Sequence, residues 1–195
     1  MGQSLSEFLT WLKAKHIGWE LPVLFINVKI RSGCRTFDLC QAKSADLREG
    51  TLTLTADITK NRAARIIPLN SDVVNDLKRF AGPIWLWEAS LEDSKKYRPC
   101  PQTLSKTHFD PSTWRWTIQN IFREFNRNRS PDARLRPHDL RARTITRLAE
   151  ETQSIEATAH AMGINAQTAR HYVDAEKAFK GSDVLRQLAD KLFPE

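Results

Sequence analysis

Long apolar runs are missing from this chain of 195 residues. None approaches the roughly 20 residues that cross a bilayer, so no membrane partner is expected. The N-terminus also lacks a basic segment followed by an apolar core, which leaves no signal peptide to read and points to a cytoplasmic location. Cysteine is scarce. Cys34, Cys40 and Cys100 are odd in number and lack metal-type spacing, which argues against a disulfide framework and a zinc site and for reduced thiols. Internal repeats and low-complexity tracts are absent too. A length of 195 residues is enough for a hydrophobic core and fits one domain spanning residues 1–195.

What is present is a globular composition, with 41% apolar and 27% charged residues and a formal net charge of +7. The positive charge is concentrated. From Arg115 to Arg147 there are nine Arg, no Lys and three acids. Guanidinium forks match phosphate oxygens, so an Arg-only stripe points to nucleic acid, although a solvated basic face has the same composition.

The apolar pattern predicts a mainly α fold with a small antiparallel β-sheet (α+β). Leu5, Phe8, Leu9 and Leu12 share a face of a helix ending near Ala14. Trp19–Ile30 reads as a second helix, Gly33 as its C-cap and Thr36 as the next N-cap. Arg35 then lies at a helix N-terminus, a place that favours anions, or pairs with Asp38 or Asp46. Thr51–Thr55 alternates as a half-buried strand, and Ile66, Ile67 and Leu69 suggest its partner. Lys60 falls at or near the tip of that hairpin. Ser71 is the expected cap of a helix through Phe80.

Residues 81–113 read as a long loop with four Pro and a possible short helix at Leu104–Thr107. A helix from Pro111 to Asn128 is expected to bury Trp116, Ile118, Ile121, Phe122 and Phe125. Its Trp114 and Trp116 suit the core better than base stacking. Pro137 opens a helix to about Glu151. Ser154 and Gly163 bracket a short helix, and Asn165 caps another through Tyr172. A turn or short helix at Asp174–Lys180 and an amphipathic helix at 182–193 follow.

No single residue in this pattern specifies a chemistry, but four segments in order do. Gly33-Cys-Arg-Thr-Phe-Asp-Leu39 resembles the G-x-R-x-x-E-L signature of the tyrosine recombinases, the phage integrase family. Thr59-Lys-Asn-Arg-Ala-Ala-Arg-Ile-Ile-Pro-Leu69 resembles that family's hairpin, T-K-x-x-x-x-R-x-[IV]-P-L. Arg136-Pro-His-Asp-Leu-Arg141 resembles its H-x-L-R box, and Ala161-Met-Gly with Thr168-Ala-Arg-His-Tyr172 resembles its L-G-H…T-x-x-Y ending.

The resemblance implies a catalytic domain that cuts and rejoins double-stranded DNA without metal or cofactor. Arg35 and Arg141 would clamp the scissile phosphate, and Tyr172 would attack it to form a 3′-phosphotyrosyl link. Lys60 would protonate the departing 5′-oxygen, with His138 as acid or base. Arg62, Arg65, Arg136 and Arg143 are the expected DNA contacts. The family's tetramer on DNA is the implied assembly, with the helix at 182–193 docking on its own domain or on a neighbouring protomer. The family's N-terminal core-binding domain is expected to be absent, which fits an excised catalytic fragment, the favoured reading, or a naturally minimal domain.

One position departs from the pattern. Ile164 follows Met162-Gly163 where the family has His or Trp. Ile donates no hydrogen bond to phosphate, so one transition-state contact is missing and activity is expected to be impaired. The alternatives are an inactive integrase relative or a helix-turn-helix regulator built on Ile155–Val173. A type IB topoisomerase shares much of the chemistry.

Overall fold

The computed structural model describes residues 2–15, 20–87 and 111–174. The chain divides into two compact units, Met1–Arg141 and Ala142–Glu195. As expected, it is mostly helical with one small antiparallel sheet.

The first unit opens with α1 (Gly2–Lys15) and α2 (Glu20–Ser32). Phe8 and Leu12 on α1 are fully buried. The Phe8 ring stacks on Phe122 at 4.6 Å and meets Phe125 edge-on at 5.0 Å. These residues lie on α5 (Pro111–Phe125), so aromatic packing joins the start of the unit to its far end. Phe25 of α2 packs edge-on against Trp87 at 4.9 Å and Trp114 at 5.9 Å. The buried Trp87 indole donates from Nε1 to the Leu39 carbonyl at 2.7 Å, so its polar atom is satisfied within the core.

Gly33 ends α2 with a φ of 59°, the left-handed turn that a residue without Cβ adopts at least cost. The short α3 (Thr36–Cys40) starts two residues later. Arg35, not Thr36, holds its N-cap position. Likewise Asn70, not Ser71, precedes α4 (Ser71–Phe80). Neither capping residue accepts a side-chain hydrogen bond there, so the usual preference for a hydroxyl cap misplaces both helix starts by one residue.

The sheet has three strands in the order β1 (Leu47–Arg48), β2 (Thr51–Leu54) and β3 (Arg65–Pro68). Both pairs are antiparallel, and Leu52 faces Ile67 while Leu54 faces Arg65. Leu52, Leu54 and Ile67 enter the core and Ile66 stays exposed, as a period of two requires. The two-residue β1 is an addition to the expected hairpin; it is too short to leave an alternating signature. Pro68 ends the outer strand, where a missing N–H is tolerated.

Helix α5 ends at Phe125, three residues before the expected Asn128. Trp114 is buried as expected, but Trp116 is 37% exposed and is not a core residue. The side chain of Asn126 holds the following loop, donating to the Leu135 carbonyl at 2.7 Å and accepting from the Leu135 N–H at 3.0 Å. The loop then enters α6 (Pro137–Thr152), which continues into the second unit.

In that unit α7 (Ile155–Met162) is capped as expected. The Ser154 hydroxyl accepts from the Ala157 N–H, and Gly163 closes the helix with a φ of 59°. The Asn165 side chain accepts from the Thr168 N–H at 2.7 Å at the start of α8, which runs over 166–174. The segments expected at 104–107, 175–180 and 182–193 lie outside the described residues.

Candidate active site

The site grows from the C-terminus of α2. The last carbonyls of a helix carry partial negative charge and no intrahelical partner. Three consecutive carbonyls here each accept from a cation on a different element. Arg65 of β3 donates from Nη2 to Ser32 O, Arg141 of α6 from Nη1 to Gly33 O at 2.6 Å, and Lys29 of α2 from Nζ to Cys34 O at 2.8 Å. Arg65 also points Nη1 at Cys34 Sγ, 3.3 Å away. Its guanidinium is thereby engaged with the backbone and thiol of the α2–α3 turn.

This anchoring fixes Arg35, the next residue along. Arg35 forms an ion pair with Asp38 at 3.7 Å and donates from Nη2 to Asn61 Oδ1 at 3.4 Å. Of the two carboxylates expected as its partners, Asp38 is the one used. Asp38 is itself buried, and burial raises its pKa above the ordinary carboxylate value. Arg35, Arg141 and the Lys60 N–H act in the opposite direction. One carboxylate thus ties the Arg35 helix start to the Lys60 loop.

Lys60 lies in the connection between β2 and β3. The Thr59 hydroxyl donates to Ala63 O at 2.8 Å and accepts from the Ala63 N–H at 3.1 Å, and the Arg62 N–H donates to Thr59 O. Arg62 takes a φ of 51°, and its side chain is exposed. The Gln41 amide also donates to Ile58 O at 3.3 Å, linking this loop to α3. Lys60 is exposed at the end of a hydrogen-bonded turn.

The third group comes from the start of α6. Pro137 takes the first helical position, where its missing N–H costs nothing. Asp139 accepts from the Arg136 N–H at 2.7 Å, half of a capping box. His138 and Arg141 follow three residues apart and so share a helix face. Arg141 is only 3% exposed. Partial desolvation, then the charges of Arg141 and Lys29, hold the His138 imidazole below its ordinary pKa. His138 is thereby biased to its neutral form at pH 7.

These elements enclose one pocket of about 790 Å³. Arg35, Lys60, His138 and Arg141 all line it, as does Arg136. Four of the five residues expected at a catalytic site therefore meet, although they come from three separate stretches of sequence. Lys29 and Arg115 line it too, giving six Lys or Arg against Asp38 and Asp57. Arg115 lies over the Phe37 ring at 5.3 Å, a cation–π contact that holds its guanidinium at the wall. Sequence reasoning missed Lys29. The available signal was a single Lys on an apolar helix whose neighbours Leu24, Phe25, Ile26 and Val28 are all buried.

The fifth residue, Tyr172, belongs to the second unit. It is half-buried on α8, and its ring centroid lies 6.1 Å from that of His171. Arg143 also belongs to that unit and is half-buried on α6. Ile164 follows the Gly163 turn, with its N–H donating to Ala159 O at 3.0 Å.

The pocket of the first unit gathers six cations against two carboxylates, an arrangement that suits an oxyanion. Its cations are pre-positioned by carbonyls and carboxylates of the fold, so little reorganisation accompanies the arrival of negative charge. Among solved structures the chain is similar to XerA recombinase, with 16% identity, a TM-score of 0.59, and coverage of 100% of this chain and 63% of the other. It is similar to the Tn1549 transposon integrase in complex with transposon right end DNA, with 16% identity, a TM-score of 0.59, and coverage of 93% and 64%. For XerH site-specific recombinase bound to a palindromic difH substrate the values are 19%, 0.57, and 96% and 51%. The chain thus spans a little under two thirds of the length of the first two, and at these identities the likeness establishes the fold. No curated protein matches the sequence. The model of the Phage integrase family, however, matches residues 21–178, from the second helix past Tyr172. The chain belongs to the phage integrase family.

Proposed function

We propose that this chain carries the catalytic domain of a site-specific DNA recombinase, acting through a 3′-phosphotyrosyl intermediate. The observation that carries this reading is the meeting of Arg35, Lys60, His138 and Arg141 in one cationic pocket. Arg35 and Arg141 hold the non-bridging oxygens of a scissile phosphodiester. Their charge neutralises what builds up in the transition state. Tyr172, assigned by its place in the family motif, attacks phosphorus. The new P–O bond to tyrosine replaces the P–O5′ bond, and Lys60 gives its proton to the departing 5′-oxygen. His138, biased to its neutral form, acts as the base that takes the phenolic proton released by Tyr172. One phosphoester is exchanged for another, so the step is reversible and strand rejoining is its reverse.

Double-stranded DNA is the proposed partner, and Arg62, Arg65, Arg136 and Arg143 are its proposed additional contacts. The neighbours that carry DNA in their structures support this partner. Assembly into a tetramer on DNA, with the helix at 182–193 docking between protomers, belongs to the same reading. So does a cytoplasmic location, and no helix among the described residues is long and apolar enough to cross a membrane. A helix-turn-helix regulator accounts for the Gly163 turn but leaves the pocket of the first unit without a purpose.

The test is covalent trapping. Incubated with a nicked suicide duplex bearing its recombination site, the protein should form a denaturation-resistant DNA adduct that Tyr172→Phe does not form. Binding of that duplex without any adduct would identify an inactive relative and overturn the enzymatic reading.

A further inference from the structure

The strand-transfer chemistry makes no use of Lys29, yet this residue occupies the pocket it requires. Lys29 is 1% exposed. Its ammonium has three N–H groups, and among the described residues Cys34 O is its acceptor, at 2.8 Å. A buried ammonium with protons left over is costly unless a negative charge arrives nearby. The groups facing it are Cys34 in the α2–α3 turn, Asp38 and Cys40 on α3, and Arg141 on α6. Arg35, Lys60, Arg115 and His138 share the same pocket. Burial pushes the Cys40 thiol well above its ordinary range, which leaves it neutral. Asp38 is already engaged by Arg35. Lys29 therefore stands in an excess of positive charge without a carboxylate of its own.

We propose that Lys29 is a further anion-site residue, a buried charge on the pocket lining that serves a bound phosphodiester. This inference rests on reading the pocket as a phosphate site. Burial, opposed by Cys34 and reinforced by Arg141, lowers the Lys29 pKa from 10.5 to about 8. The empty pocket thus holds Lys29 partly neutral just above neutral pH. An oxyanion beside it favours the charged form and raises that midpoint. Reciprocally, anion affinity falls as pH rises above 8, by up to tenfold per unit, until the raised midpoint is passed.

The experiment uses the full chain with ¹³C-labelled lysine and histidine and inorganic sulfate as probe, because sulfate keeps its charge across this range. The Lys29 ¹³Cε signal is recognised by its down-shifted midpoint near pH 8 and by its loss in Lys29→Met. Saturating sulfate should raise that midpoint by one pH unit or more. Sulfate affinity should fall between pH 8 and 9.5 in the wild type and in Cys34→Ala, and stay flat in Lys29→Met. An unmoved Lys29 midpoint, with His138 signals still reporting sulfate, would overturn the inference and leave the phosphate pocket standing. If neither residue responds to sulfate, the phosphate reading fails and the inference fails with it. The midpoint is measured in the wild type, so a poorly folding variant does not remove the test.

Discussion

Arg141 donates from Nη1 to the carbonyl of Gly33 at 2.6 Å, across a separation of 108 residues. This bond joins the family's first and third motifs and sets where the Arg141 guanidinium points. One N–H is spent on the backbone, and the planar fork directs the rest. Lysine lacks that fork, so Arg141→Lys keeps the charge and loses the geometry. Adduct formation with a suicide duplex should fall by roughly 10²-fold or more, the scale set by misplacing one transition-state group. Equilibrium affinity for duplex DNA, dominated by charge, should change far less. Undiminished adduct formation in Arg141→Lys would show that Arg141 acts only through charge.

That bond also marks where sequence reading stops. The β2–β3 pair is legible because Thr51–Leu54 alternates between buried and half-buried positions. The caps at Ser154, Gly163 and Asn165 are legible because a short polar or Cβ-free residue meets a helix end. Both are local signals. The clustering of Lys29, Arg65 and Arg141 on three adjacent carbonyls is tertiary, and no spacing rule contains it. Arg65 in particular looks like any basic residue of a hairpin until its acceptors are seen. Trp116 shows the converse. Its place in a helical pattern suggests burial, but the face it occupies is not one the core covers.

Asp38 sits between the two halves of the pocket, paired with Arg35 at 3.7 Å and accepting from the Lys60 N–H. Asp38→Asn preserves shape and removes the charge that steadies both. Burial already disfavours that charge, so thermal stability at pH 7 should hardly fall. Adduct formation should drop by roughly 10- to 100-fold, as expected when two reacting groups lose their registration. Single-turnover trapping beside a thermal melt reads both quantities. Full activity in Asp38→Asn would mean that Arg35 and Lys60 are positioned without it.

Lys29 should also be visible in stability. Its folded-state pKa, about 8, lies below the unfolded value of 10.5. Below pH 8 both states carry the proton, and the cost of burying the charge is felt in full. Between pH 8 and 10.5 the native state is neutral while the unfolded chain stays protonated, so stability rises with pH. The slope is roughly 1 kcal/mol per pH unit across that window. Lys29→Met removes this contribution. Urea melts from pH 7 to 10 should show the wild type gaining on the variant above pH 8. A constant difference would mean that Lys29 is not a buried charge.

Ile164 stands where the family has His or Trp. It follows the Gly163 turn, with its N–H bound to Ala159 O, so a new side chain there leaves the turn intact. The residue is half-buried, and histidine there replaces a branched aliphatic side chain by a planar ring with nitrogens that can donate. One missing transition-state donor costs about 2.7–4 kcal/mol in other enzymes, or 10²–10³ in rate. If that donor limits this protein, Ile164→His should raise the rate of adduct formation by up to that factor while duplex affinity stays constant. Ile164→Val separates chemistry from packing, because it trims the side chain without adding a donor and should leave the rate unchanged. Equal rates in the wild type and Ile164→His would show that the remaining cations already supply the charge the transition state needs.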